Sequence, residues 1–370
     1  MTQKYADSIL PNLTLQEATE LQFKLLDDVT KVFKHNSFFE TGDVGLHPDY
    51  HRPKTTALVE QVLASTFNTE ACALVRGSGT GAIRIALSMV VEPGDSVIVH
   101  TAPMYTTTKD TFRLMGLKQN PADFNDEKQL QTVLEGDRES KVFYVQHARQ
   151  QPTDTYSLKN VIQTVKKLRP DLCVIVDDNY CTMKMKGIGV EYGADVSTFS
   201  GYKLMGPEGI GIILGSSDLI KNIHQQNYSG GGQVQGHEAH ELLRSMVFAP
   251  VMLAIQNEQV EQLCSRLNQN ELPLVREAYI TNSQSKNVIL ELEEPIAQVV
   301  IAKASAYGAA TYPVGAESKY ELLPMIYRVS GSFMESNPEL KHSGIRINPM
   351  KSSADTVIRI LKEVFTEIRG

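Results

Sequence analysis

The sequence predicts an α/β fold: a mostly parallel sheet covered by helices on both faces, followed by a smaller α+β C-terminal domain. Three observations carry this. Short apolar runs of strand length (71–75, 96–100, 141–146, 173–177, 196–200) alternate with segments of helical periodicity, the pattern of parallel strands joined by crossover helices. The first run passes directly into a glycine-rich turn, Arg76-Gly-Ser78-Gly79-Thr80-Gly81, that opens a helix. Gly79, Tyr105, His147, Asp177 and Lys203 all stand just past run ends, the edge at which open α/β sheets bind ligands.

Taken in order, residues 15–33 have helical spacing after Thr14, an N-cap residue. A polar loop, Glu40 to Lys54, precedes a helix over about 56–67. The alternation then continues to the runs Cys173–Asp177, Val196–Ser200 and Ile212–Leu214, with glycines at 206, 209 and 211 before the last. A helix follows Gly215, then a second glycine-rich loop, Tyr228 to Gln233, and a long helical stretch over about 238–267. Beyond Asn268–Leu272 the pattern changes to short strands and amphipathic helices (287–292, 296–307, 354–368). This divides the chain into an N-terminal helix and loop arm (1–54), a large α/β domain (55–267) and a small α+β domain (268–370).

The 370 residues are 42% hydrophobic and 21% charged, enough for a substantial core. A net charge of −7 without a basic run argues against nucleic acid. Cys72, Cys173, Cys181 and Cys264 lack zinc spacing and lie mostly in apolar surroundings, as buried thiols of a reducing compartment do. His237-Glu-Ala-His240 has the wrong spacing for a zinc helix, so no metal is expected. The longest apolar stretch, Met246 to Ile255, is too short for a bilayer and contains Pro250. With no basic, apolar leader at the N-terminus, a cytoplasmic protein without membrane partners is expected.

The chemistry concentrates between Cys173 and Gly215. A buried strand delivering Asp177, and a neighbouring strand leading to Ser200-Gly-Tyr-Lys203, suit a lysine held as a Schiff base and an acid facing a pyridinium nitrogen. The alternative is a capping aspartate and a surface lysine. The turn at 77–81 exposes backbone N–H groups at a helix N-terminus, a phosphate site in principle. It lacks the Gly-Lys-Ser/Thr of a Walker loop and the register of a dinucleotide fold.

With these three segments in hand, the chain resembles the fold-type I pyridoxal phosphate enzymes of the aspartate aminotransferase superfamily. In particular it looks like a bacterial branch of aminotransferase-like proteins, the YhfS type, almost end to end. The resemblance implies pyridoxal 5′-phosphate as cofactor, with Lys203 as the Schiff-base lysine and Asp177 facing the ring nitrogen. It implies Tyr180 at the ring hydroxyl, Gly79, Thr80 and Ser200 at the phosphate, Tyr105 stacked on the ring, and His147 or Gln146 beside it. Arg346 matches an arginine that grips a substrate carboxylate. Where aspartate aminotransferase places a phosphate-binding arginine after the lysine, this chain has Gly206-Pro-Glu-Gly209. Tyr50-His-Arg52 resembles the Tyr-x-Arg pair that cystathionine-type enzymes lend to a neighbouring subunit's phosphate. A homodimer with interfacial sites and a small amino substrate are therefore expected. The favoured activity is aminotransfer. The alternative is β- or γ-elimination by a lyase of the cystathionine and methionine lyase kind. A binder of cofactor or nucleotide without turnover ranks third, since binding alone has no use for Lys203.

Overall fold

The computed structural model describes residues 4–269, 271–282, 285–312 and 317–370; the first three residues of the N-terminal arm lie outside it. Helix α1 (Leu15–Val32) begins with a capping box between Thr14 and Glu17. Then come α2 (Lys54–Thr66), β1 (Ala71–Arg76), α3 (Ser78–Ser88), β2 (Ser96–His100), α4 (Thr106–Leu114), β3 (Lys118–Ala122) and α5 (Glu127–Gly136). The next elements are β4 (Ser140–Gln146), α6 (Leu158–Leu168), β5 (Cys173–Asp177), β6 (Val196–Ser200), β7 (Ile210–Gly215) and α7 (Ser217–Gln226). Helix α8 (Gly236–Leu267), 32 residues long, carries the buried Pro250 inside it.

The first sheet has seven strands in the order β1-β7-β6-β5-β4-β2-β3. Strand β7 is antiparallel to both β1 and β6, while β6, β5, β4, β2 and β3 are mutually parallel. Every strand except β7 therefore ends on one edge of the sheet. The strands are near-continuous apolar runs because helices cover both faces: Ile175 and Ile213 pack toward α3, and Val174 and Val176 toward α6.

After α8 the chain forms β8 (Val275–Thr281), β9 (Asn287–Leu292), α9 (Ala297–Ala304), β10 (Met325–Arg328), α10 (Ser332–Ser336), α11 (Leu340–Ser343), β11 (Gly344–Asn348) and α12 (Ala354–Arg369). Its four strands, in the order β10-β11-β9-β8, are all antiparallel. Their core joins the last turns of α8 to α12 through Leu263, Val288, Ile347 and Leu361. The stretch read as an arm is shared between the two halves. Helix α1 packs on α2 and α8, whereas Lys4 pairs with Glu277 (2.7 Å) and Glu291 (3.0 Å) of the second sheet. Among the described residues no helix is long and apolar enough to cross a membrane.

Candidate active site

The site grows out of the shared edge of the parallel strands. At the end of β1, Gly77 has φ +94°, a left-handed conformation that lets the chain reverse sharply into α3. No side chain caps α3, so its first turn offers backbone N–H groups and the positive end of the helix dipole to an anion. Gly79 must lack a side chain: a Cβ there would sit 2.5 Å from the Asn179 amide atoms. Thr80 is tied to Thr107 of α4 by a 3.1 Å hydroxyl contact.

Facing this turn, β5 delivers Asp177 and β6 delivers Ser200, both buried. Lys203 follows in the single 3₁₀ turn Gly201–Leu204. Asp177 accepts hydrogen bonds from the Asn179 side-chain amide (2.6 Å), the Asn179 backbone (3.0 Å) and the Tyr144 hydroxyl (3.2 Å). The Asn179 carbonyl oxygen in turn accepts from Lys203 Nζ (3.2 Å) and the Ser200 N–H (3.1 Å). Asn179 thus bridges acid and lysine. The Lys203 ammonium also lies 3.7 Å from the Tyr180 ring centroid, within cation–π range.

Electrostatics sharpen the pairing. Burial lowers the Lys203 ammonium to about 8, against the opposing pull of Asp177. Burial likewise raises the Asp177 carboxyl above its ordinary range, with Lys203 and Asn179 pulling the other way. Each charge is disfavoured by its surroundings, so a cationic ring set against Asp177 stabilises the carboxylate.

A cavity of about 220 Å³ is lined by Gly79, Thr80, Tyr105, Gln146, Asp177 and Lys203, with Asn179, Tyr180 and Ser200 also in its wall. His147 lies outside this lining. Successive residues of an extended chain face opposite ways, so Gln146 and Ala148 line the cavity while the buried His147 ring meets Asp178 at 2.8 Å. Burial alone lowers the imidazole's proton affinity, but Cys181 and Asp178 override it and hold it at about 10. Of the two residues expected beside the ring, Gln146 lines the cavity and His147 does not. Asn179 was not singled out in the sequence. Its place two residues after Asp177, the position whose backbone N–H an aspartate side chain commonly accepts from, was the available signal.

Arg346 lies on β11, fully buried, its guanidinium 5.9 Å from both the Tyr327 and Phe333 rings. It lines a cavity of about 290 Å³ that shares Tyr105 and Gln146 with the first. A larger space of about 1150 Å³ opens beyond Tyr105 and Tyr180, toward Glu317 and Tyr327. Tyr50 and Arg52 are not part of this constellation within one chain. Arg52 pairs with Glu60 (2.6 Å) and donates to the Tyr50 carbonyl (2.9 Å), beside a separate cavity that also holds His224. Among the described residues no group of His, Cys, Asp or Glu is placed to hold a metal ion.

The residues present fit pyridoxal phosphate: an anion site at α3, a glycine-cleared floor, an acid held in place, and a lysine of lowered proton affinity. Two family models match the chain, "Cys/Met metabolism PLP-dependent enzyme" over residues 18–288 and "YhfS-like, C-terminal domain" over residues 261–361. YhfS of Escherichia coli (strain K12) is 46% identical over 359 residues, 97% of this chain and 99% of that protein. The crystal structure of the pyridoxal-5′-phosphate-dependent protein YhfS from Escherichia coli superposes with a TM-score of 0.94, covering 97% of this chain and 98% of that one. Cystathionine gamma synthase from Xanthomonas oryzae pv. oryzae shares the fold at 14% identity, with a TM-score of 0.73 over 95% of this chain and 98% of its own. The cavity at Lys203 and these likenesses lead to one conclusion: the chain belongs to the Cys/Met metabolism family of pyridoxal phosphate-dependent, fold-type I enzymes.

Proposed function

We propose that this enzyme catalyses elimination or replacement at the β- or γ-carbon of an amino acid substrate. The observation that carries the reading is the convergence of Lys203, Asp177 and the α3 N-terminus on one cavity, in a chain of the Cys/Met metabolism family. Aminotransfer, favoured from the sequence, uses the same lysine and acid; membership of this family supports elimination over it. Bound in the cavity, pyridoxal phosphate supplies an aldehyde for amines and a cationic ring that withdraws electrons from the substrate Cα.

The chain's own residues do the rest. Lys203 Nζ, with its affinity lowered to about 8, is partly neutral near physiological pH and takes the Cα proton as general base. Asp177, oriented by Asn179 and Tyr144, holds a proton on the ring nitrogen. The α3 turn with Gly79 and Thr80, together with Ser200, binds the phosphate. Tyr105 and Tyr180 line the ring, with Gln146 alongside, and the Tyr105 phenol is the acid for a departing group. Arg346 fixes the substrate carboxylate.

We read residues 1–54, 55–267 and 268–370 as arm, cofactor domain and substrate-closing domain of a cytoplasmic homodimer. Two features support the dimer. Among the described residues, Lys203 is the only cation lining the cavity, so the phosphate calls for a further one, which Arg52 of a second copy supplies. The loop holding Arg52 and α8 also present Phe39, Val44, Leu46 and Phe248 to solvent.

The test is incubation of the holoenzyme with amino acids carrying a thiol, thioether or ester at Cβ or Cγ, without a keto acid. Continuous release of ammonia and keto acid is expected, and Lys203→Ala abolishes it. Stoichiometric conversion to pyridoxamine phosphate, reversed by adding a keto acid, would instead establish aminotransfer.

A further inference from the structure

Two lysine ammoniums lie near the Tyr180 ring. Lys203 Nζ lies 3.7 Å from its centroid and Lys184 Nζ 5.8 Å. Lys184 is almost wholly buried (1% exposed), and an unpaired ammonium there would be strongly disfavoured. Its charge is met by the equally buried Glu317. Two more side chains hold Glu317: Ser285 Oγ donates to it and Gln256 Nε2 of α8 donates at 2.6 Å, Gln256 being held in turn by Lys351 Nζ at 2.9 Å. Lys184 Nζ also donates to Ser285 Oγ (3.1 Å), and its carbonyl accepts from the Leu13 N–H. The ion pair therefore ties the strand-end segment 177–185 to α8 and to the C-terminal half, and the Lys184 carbonyl ties it to the N-terminal segment. Both Tyr180 (φ +69°) and Met183 (φ +60°) adopt left-handed backbone conformations between these anchors, conformations that persist only where the surroundings enforce them.

We propose that Lys184 and Glu317 form an electroneutral clasp beside Tyr180, positioning residues that dock the C-terminal half onto the cavity and hold Tyr180 and the Lys203 amine in register. This rests on the reading of Lys203 as the reacting amine, and adds a role to residues outside the cofactor contacts. Charge balance makes it specific. The groups acting on Lys203 are Asp177 and Glu317, which favour its ammonium, Lys184, which disfavours it, and Cys181, which favours it; Lys351 and Glu321 stand behind, near Glu317. The clasp contributes opposing charges, so its two halves offset each other at Lys203.

The experiment measures the rate at which Lys203 of the full-length apo-protein is reductively methylated by formaldehyde with cyanoborohydride as hydride donor, against pH, by peptide mass spectrometry. For Lys184→Met the apparent pKa of Lys203 rises by about one unit, the effect of a unit charge roughly 10 Å away in a protein interior. Labelling at neutral pH then slows about tenfold. Glu317→Gln leaves the rate unchanged or faster, and Lys184→Met/Glu317→Gln returns the profile to that of the parent protein. A merely structural clasp would move both single variants the same way. That result, or an unshifted Lys184→Met profile, overturns the proposal, as does failure of the neutral double variant to fold. Cofactor uptake is measured separately, by the visible band that pyridoxal phosphate develops with the parent protein and loses in Lys203→Ala. A parent protein that develops no such band refutes the reading of Lys203 while leaving the labelling result to decide the clasp.

Discussion

Gly79 and Asn179 should be energetically coupled, and the coupling can be measured. Asn179 makes three side-chain hydrogen bonds, to Asp177 (2.6 Å), the Ser200 N–H (3.1 Å) and Lys203 (3.2 Å). Asn179→Ala leaves the buried Ser200 N–H and part of Asp177 without partners, a loss of about 2–4 kcal/mol. Gly79→Ala brings a Cβ to 2.5 Å from both terminal atoms of the same amide. A free side chain would swing aside, but this one is pinned by its three partners. The substitution should therefore cost about 1–3 kcal/mol as overpacking. In the Asn179→Ala background the obstruction is gone. There Gly79→Ala becomes neutral or stabilises by up to about 1 kcal/mol, because alanine favours the helix. Urea unfolding of the four apo-proteins closes the cycle, with an expected coupling of about 1–4 kcal/mol. If Gly79→Ala costs the same in both backgrounds, Asn179 is not what excludes a side chain at 79, and the cavity floor has been misread.

Other outcomes follow from the same geometry. Burial pushes the Glu60 carboxyl up to about 7 against the pull of Arg52, above its ordinary 4.5. Its folded state thus binds the proton more tightly than the unfolded one, and stability falls by about 3 kcal/mol as pH rises from about 4.5 to 7. Glu60→Gln should flatten that part of the stability–pH curve measured by thermal unfolding; an unchanged slope would contradict it. Arg346→Gln should lower kcat/KM about 10- to 150-fold through the lost carboxylate contact, chiefly by raising KM. Arg52→Ala should weaken pyridoxal phosphate retention on dialysis, and mixing it with Lys203→Ala should restore part of the activity through heterodimers with one intact site. A fully active monomer in sedimentation would exclude that arrangement.

Much of the sheet was legible in the sequence because a buried parallel strand is a local signal. Ala71–Val75 and Cys173–Asp177 read as continuous apolar runs, and the structure places strands at 71–76 and 173–177. The turn into α3, with its glycines, and the lysine after Ser200 were legible for the same reason: turn chemistry and strand ends are written in neighbouring residues. The reversed direction of β7 was not, since direction depends on which strands it pairs with. Nor was the choice between Gln146 and His147, because the phase of in-and-out alternation at the end of β4 is decided by pairing with β5, not by the residues themselves. Strands β10 and β11 went unmarked, yet β11 is what carries Arg346 to a cavity shared with Tyr105 and Gln146. The sequence by itself determined the α/β class and marked candidate residues for the chemistry. Tertiary structure alone decided which of them meet: Asn179 between acid and lysine, and Lys184 against Glu317 133 positions away. Burial and pairing across such separations are properties of the packed chain, and they set the proton affinities on which the chemistry depends.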